Sequence, residues 1–303
     1  MPYLALAALA LIWGASFLFI KVAVHDMAPT TLVLVRTVSG SAVLLLVFAA
    51  SRRAPLPSGT RRRILPFVIM AVFSSVIPWL GFGYGEQSIT SALASIINAT
   101  TPLWTAIFAY WVIPQERLSP LNYAGVGIGF VGTAIVLAPD LVGQPLRATT
   151  FGSLIVVAAA ASYAVAALYQ RRKLKGVSPL EASLGQMLAG TLIMIPLAAP
   201  SLGATHLRLA SAGAALALGI GGSGVAYILY YYVLNSLGAT RATTVTLLLP
   251  LTAVFWGATI LHEPITLPIL VGMAVILIGV TLTSRPSRRR PAAVDRGAAS
   301  AAS

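Results

Sequence analysis

A chain of 303 residues that is 58% hydrophobic and only 9% charged cannot clothe itself in polar surface, because soluble domains carry about 25% charged residues. Its 20 Lys and Arg outweigh 7 Asp and Glu, giving a formal net charge of +13, and the mean hydropathy is +0.89. Lipid is therefore the solvent for most of the chain. The basic residues cluster at 52–63, 171–175 and 285–296 with no interleaved aromatics and no zinc or helix-turn-helix pattern, so no nucleic-acid partner is expected. The absence of Cys excludes disulfides and thiolate chemistry. His25, His206 and His262 are too few for a multi-histidine metal centre, and no metal or cofactor is expected.

In chain order, ten apolar stretches each suit one helical crossing of a ~30 Å hydrocarbon core. They run over 3–24, 29–50, 64–84, 88–112, 119–138, 151–170, 179–199, 210–234, 238–260 and 267–284. Pro29, Pro120, Pro179 and Pro268 stand near helix starts, where the missing N–H is harmless. Continuous rather than alternating apolar runs exclude a β-barrel. The first stretch has no basic n-region and meets its first charge at Lys21, so it is expected to remain as a span rather than leave as a signal peptide.

Ten spans put both termini on one side. The segments on that side hold 16 basic residues; the opposite loops hold Arg147 and Arg208, while Lys21 and Arg36 lie within spans. The positive-inside rule then makes the termini cytoplasmic. The tail 285–303 has no apolar face and is expected to be disordered, its arginines serving as a topology anchor and touching anionic head groups.

The sequence is self-similar at an offset of about 150 residues. Pro29, Arg36 and Gly40 meet Pro179, Gln186 and Gly190; Pro102-Leu103 meets Pro250-Leu251; Glu116, Ser119, Gly125 and Gly132 meet Glu263, Thr266, Gly272 and Gly279. Five spans per half is odd, so the halves enter the membrane from opposite sides. The expected fold is an all-α integral membrane protein of ten transmembrane helices, built as two inverted five-helix repeats over 1–139 and 140–284. Such a repeat serves alternating access around one midplane site.

The run IWGASFLFIKVAV (12–24), Arg36 in the second span, the fourth-span proline and the E-x-x-[ST]-x5-G-x6-G pattern resemble the drug/metabolite transporter superfamily, and within it the EamA-type transporters. The resemblance spans 3–284. It implies ten helices, cytoplasmic termini, and export or exchange of small metabolites, amino acids among them. The second half departs from the pattern at Tyr163, where tryptophan is expected by analogy with Trp13, and at Gln186 in place of arginine.

Ser91, Ser95, Asn98, Pro102 and Thr105 draw one stripe along the fourth span, answered in the ninth by Ala239, Thr243, Thr246, Pro250 and Ala253. Each internal proline frees the carbonyl four residues earlier, at Asn98 and Thr246. Unpaired backbone at membrane depth needs protein or a wet cavity beside it. The stripes are therefore candidates to face a central cavity, the alternative being close helix packing by small residues. Trp13, Trp79, Tyr163, Tyr227 and Tyr231 are aromatic candidates for its wall, with packing or interfacial roles as the alternative. Arg36 suits an anionic substrate or carboxylate, and Gln186 is its counterpart.

Lys21 and Arg36 sit in the outer third of their spans, where snorkelling is the plain alternative to function. Lys21 with Glu263, and Arg171 with Glu116, are candidate gates at opposite rims; the alternative is that the glutamates cap helix N-termini. No carboxylate lies mid-span, and Glu86 is the remaining candidate for a proton relay, so facilitated diffusion and exchange stand beside proton antiport. A rhomboid-like G-x-S-G occurs at 221–224, but no histidine lies within the membrane to serve it, and no nucleotide-binding loop is present. The expected protein is not an enzyme. It is a small-molecule exporter or exchanger, with a lipid or glycolipid flippase component as the alternative. It is expected as a monomer or homodimer in a prokaryotic-type plasma (inner) membrane.

Overall fold

The computed structural model describes residues 1–51, 60–112, 119–141, 147–203, 208–237 and 245–285. Among these, every regular element is helical. We number them α1 (Pro2–Ala23), α2 (Pro29–Ala50), α3 (Ile64–Gly85), α4 (Ser91–Val112), α5 (Pro120–Leu141), α6 (Arg147–Lys173), α7 (Pro179–Leu202), α8 (Leu209–Leu237), α9 (Val245–Ile260) and α10 (Leu267–Thr283). The first eight are long and apolar enough to cross a membrane; α9 and α10 are apolar but have 16 and 17 residues. The ninth stretch was expected from 238, but 238–244 lies outside the described residues. The fourth helix begins at Ser91 rather than 88 because Thr90 caps it, accepting from Leu93 N. Pro2, Pro29, Pro179 and Pro268 occupy first-turn positions, as the missing N–H allows.

Three interruptions shape the bundle. The fourth helix breaks at Ala99–Thr100, and Thr101 Oγ1 caps the carbonyl of Asn98 at 2.8 Å. The third and eighth contain π-helical turns at Val72–Val76 and Leu218–Val225. Such turns leave carbonyls in search of donors. Ser162 Oγ of α6 bonds Phe73 O at 2.8 Å, and Trp13 Nε1 of α1 bonds Gly222 O at 3.1 Å. The turn in each half is thus held by the first helix of the other.

Small residues let backbones touch. On α5 and α10, a Cβ added at Gly125 would lie 2.7 Å from Gly279 O, and one at Gly132 would lie 2.9 Å from Gly272 O. The sequence pairs Gly125 with Gly272 and Gly132 with Gly279, so the two contacts are exchanged copies of each other. Asn122, buried at the start of α5, bonds the carbonyls of Leu282, Thr283 and Arg285 at the end of α10. On α2 and α7, Gly40 faces Met187 while Gly190 faces Thr37, again a reciprocal pair. The glycine run of α8 packs tightly on α2, Gly219 against Arg36 O and Gly224 against Val43.

Candidate functional site

Between the helices lies a cavity of about 300 Å³. Trp13, Arg36, Trp79, Asn98, Pro102, Tyr163, Tyr227 and Thr246 line it, joined by Ser16, Phe17, Ile20, Ser74, Phe82, Ala99, Thr101, Gly222 and Leu249. Its volume is at the lower end of the range typical of small-molecule sites. The lining is largely apolar and aromatic with a few polar groups.

Arg36 is 8% exposed and is the charged group of the lining. Its guanidinium carbon sits 3.8 Å from the centre of the Trp79 ring, and its Nε donates to Ser223 Oγ at 3.0 Å. Stacking and one hydrogen bond leave other donors of the fork to face the cavity. Its counterpart Gln186 lies behind the wall. Ser74 Oγ donates to Gln186 Oε1 at 3.0 Å, and Gln186 Nε2 donates to Tyr227 OH at 3.1 Å. Each half therefore repeats one design. A polar residue on its second helix contacts a serine in the other half's third helix and an aromatic in its own. The aromatics continue it: Trp79 Nε1 donates to Tyr163 OH at 2.9 Å, while Tyr227 meets Trp13 edge-on at 6.4 Å.

Asn98 projects at the broken turn of α4. Its Oδ1 is buried without a hydrogen-bond partner among the described residues, and its carbonyl is the one capped by Thr101. A buried amide oxygen with no protein partner is costly to leave so, and at a cavity wall it is available to a solute or to water.

Several expected residues fall elsewhere. Ser95, three positions before Asn98 on the same regular stretch of α4, is fully buried and bonds Ala92 O at 2.8 Å. Pro250 is buried within α9, away from the lining. Tyr231 turns from the cavity to the start of α7, donating to Pro179 O at 2.6 Å and bonding Ser183. Thr243 and Glu116 lie outside the described residues, and with Glu116 the Arg171 gate.

Lys21 and Glu263 do not pair with each other. Lys21 Nζ donates to the carbonyls of Glu86 (2.6 Å) and Ile89 (2.7 Å), while Glu263 accepts from Ser91 N (2.8 Å), Ser91 Oγ (2.9 Å) and Ala92 N (3.1 Å). Both grip the α3–α4 turn, one by its carbonyls and the other by the amides that open α4. Glu263 thus joins Thr90 in capping α4 rather than its own following helix, taking the Ser91 and Ala92 amides while Thr90 takes Leu93 N. At the same end of the bundle Asp26 accepts from Ser211 Oγ and His25 Nδ1, with Arg208 Nε 3.7 Å away. The Ser211 and His25 hydrogen bonds hold its carboxyl below the usual carboxylate range.

The residues missed were Ser16, Phe17 and Ile20, which lie three, four and seven positions beyond Trp13 and so on its helix face, and Phe82, three beyond Trp79. That spacing was a usable signal. Ser74 and Gly222 reach the cavity through the π turns, which no local pattern announced.

Among the described residues the helices form an apolar multi-helix bundle around an aromatic cavity with one stacked arginine. The chain belongs to the EamA-like transporter family, whose model matches residues 1–138 and again 150–285. It is 23% identical over 293 residues to the uncharacterized transporter YoaV of Bacillus subtilis (strain 168), covering 95% of this chain and 98% of that one. It is 25% identical to the uncharacterized inner membrane transporter YedA of Escherichia coli (strain K12), covering 92% and 89%. A solved crystal structure of 20% identity shares the fold over 95% of this chain and 98% of that one, with a TM-score of 0.65. The protein is a multi-pass membrane transporter.

Proposed function

We propose that this chain is a ten-helix exporter or exchanger of small metabolites, amino acids among them, working by alternating access between two inverted five-helix repeats with both termini cytoplasmic. The observation that carries the reading is the exchanged pair of contacts, Arg36 with Ser223 and Gln186 with Ser74, around one cavity. A two-fold relation between halves produces such reciprocal contacts, as do the crossed glycine pairs of α5 and α10. The same relation lets the halves swap roles about a fixed site. The double match of the family model and the inner-membrane relative support repeat organisation and location.

Arg36 recognises the anionic group of the solute, the aromatic wall its apolar body, and Asn98 Oδ1 a donor such as an ammonium or amide. Efflux from proteoliposomes tests this with amino acids, nucleobases and drugs, with and without a pH gradient. Saturable, protein-dependent movement that Asn98→Ala reduces about tenfold, the scale of one lost buried hydrogen bond, supports the reading. Equal transport by the variant at equal expression contradicts it.

A further inference from the structure

Glu86 follows α3, in the turn to α4, and has no carboxylate counterpart in the second half, where the corresponding Tyr232-Val233-Leu234 run is apolar. It is 0% exposed, and neither carboxylate oxygen has a hydrogen-bond partner among the described residues. Lys21 is close enough to bond the backbone carbonyl of Glu86, yet its ammonium sits on that carbonyl and on Ile89 O instead of on the carboxylate. The charged groups facing Glu86 are Lys21 from α1, Glu263 from the segment between α9 and α10, and Arg36 from α2. The stretch 151–161 of α6, packed on the end of α3 through Gly152 and Val156, carries no ionisable side chain. An ionised carboxylate is costly in such a place without a partner, whereas the neutral acid is tolerated. Burial pushes the Glu86 carboxyl well above the usual carboxylate range, Lys21 acting against it and Glu263 with it.

We propose that Glu86 is a proton-binding site whose occupancy sets a latch formed by Lys21 on the α3–α4 turn. With Glu86 neutral, nothing competes for Lys21, and its ammonium ties α1 to the carbonyls of Glu86 and Ile89. The turn is then held shut over the buried cluster of Val24, Met27, Ile89 and Leu93. When this end opens, water reaches the carboxyl and takes its proton. The carboxylate left behind draws the ammonium off both carbonyls, which frees the turn. The proton therefore leaves on the Lys21 side, and reclosing requires reprotonation. This ties each opening of that end to the loss of one proton and makes the transporter of the preceding section, on which the idea rests, pH-gated there.

The chain has no cysteine, so Met27→Cys provides a single reporter of opening in the full-length protein in liposomes, with no solute needed. Maleimide labelling is followed from about pH 6 to about pH 9, and each rate is divided by that of the same variant unfolded in denaturant at the same pH, because the reactive thiolate fraction itself rises with pH. The expected result is normalised labelling that rises by up to about tenfold per pH unit, the slope of one-proton linkage. Glu86→Gln is expected to be flat and slow, Lys21→Met flat and fast, and Glu86→Asp, which keeps a carboxyl, still to titrate. A pH-independent parent, a Glu86→Gln variant that titrates like the parent, or a Glu86→Asp variant as flat as Gln each overturns the proposal. A titration abolished by Glu86→Gln in a protein that moves no tested solute upholds the proton site and counts against the transport reading instead.

Discussion

Ser41 and Thr191 stand 150 positions apart in the chain, the offset of its repeat, and their hydroxyls lie 3.3 Å from one another. Under the proposed two-fold relation, a residue touches its own counterpart only where the axis between the halves passes. Gly40 on Met187 and Gly190 on Thr37 flank that point symmetrically, which puts α2 and α7 at the centre of the bundle. Arg36 and Gln186 lie on these same two helices. The chief difference between the halves, a charge on one side and an amide on the other, is therefore located beside the axis and next to the cavity.

Arg36 acts through a planar fork stacked on Trp79, so Arg36→Lys is not a mild change. Lysine keeps the charge but loses the stack and the Ser223 bond geometry. We expect Arg36→Lys and Arg36→Gln both to lower transport of carboxylate-bearing solutes by about tenfold or more, the scale of a desolvated cation–π contact plus a charged hydrogen bond. Concentration-dependent uptake kinetics check this, and wild-type kinetics in Arg36→Lys would contradict it.

The α5–α10 interface gives a contrast within one motif. A Cβ at Gly279 meets Gly129 Cα at 2.6 Å and Gly125 O at 2.7 Å, both backbone, whereas one at Gly127 meets nothing within 4 Å. Overpacking costs about 1–3 kcal/mol, so Gly279→Ala should lower the melting temperature in detergent by several degrees, roughly 2–4 °C per kcal/mol. Gly127→Ala should leave it unchanged.

Glu263 caps a helix that belongs to the other half of the chain. Its replacement by Ala leaves the amides of Ser91 and Ala92 without their partner, a loss of about 1–2 kcal/mol by the usual worth of a cap. Glu263→Gln keeps an acceptor oxygen and should lose less. Thermal unfolding of the two variants, ranked parent, Gln, Ala, checks the assignment; equal stability of all three would remove it.

The sequence pattern carried the cavity as far as helical periodicity holds. Trp13, Tyr163 and Tyr227 are readable because each is mid-span, Trp79 because it follows Pro78 in a glycine-rich span, and Asn98, Pro102 and Thr246 because a proline and a polar residue recur together in both halves. Ser95 shares a regular helical stretch with Asn98 yet is fully buried: a stripe at helical spacing does not reveal how far along it a cavity extends. The π turn at Val72–Val76 shifts phase, which hides Ser74 from a constant pitch, while Tyr231, one turn past Tyr227 on a regular helix, reaches Pro179 O instead of the cavity. The Lys21–Glu263 pairing was suggested by charge and depth alone. Two residues at one rim can each bind backbone instead, and composition does not reveal which carbonyls and amides a turn leaves open.

If the cavity is the path for solute, filling it must stop transport. Proteoliposome counterflow tests this with the cysteine-free chain carrying Ser16→Cys in the cavity wall, before and after reaction with a bulky maleimide. Saturable exchange of at least one amino acid, nucleobase or drug is expected in the unlabelled protein, reduced by about tenfold or more once the cavity is filled. Exchange that continues unchanged with the cavity blocked would contradict it.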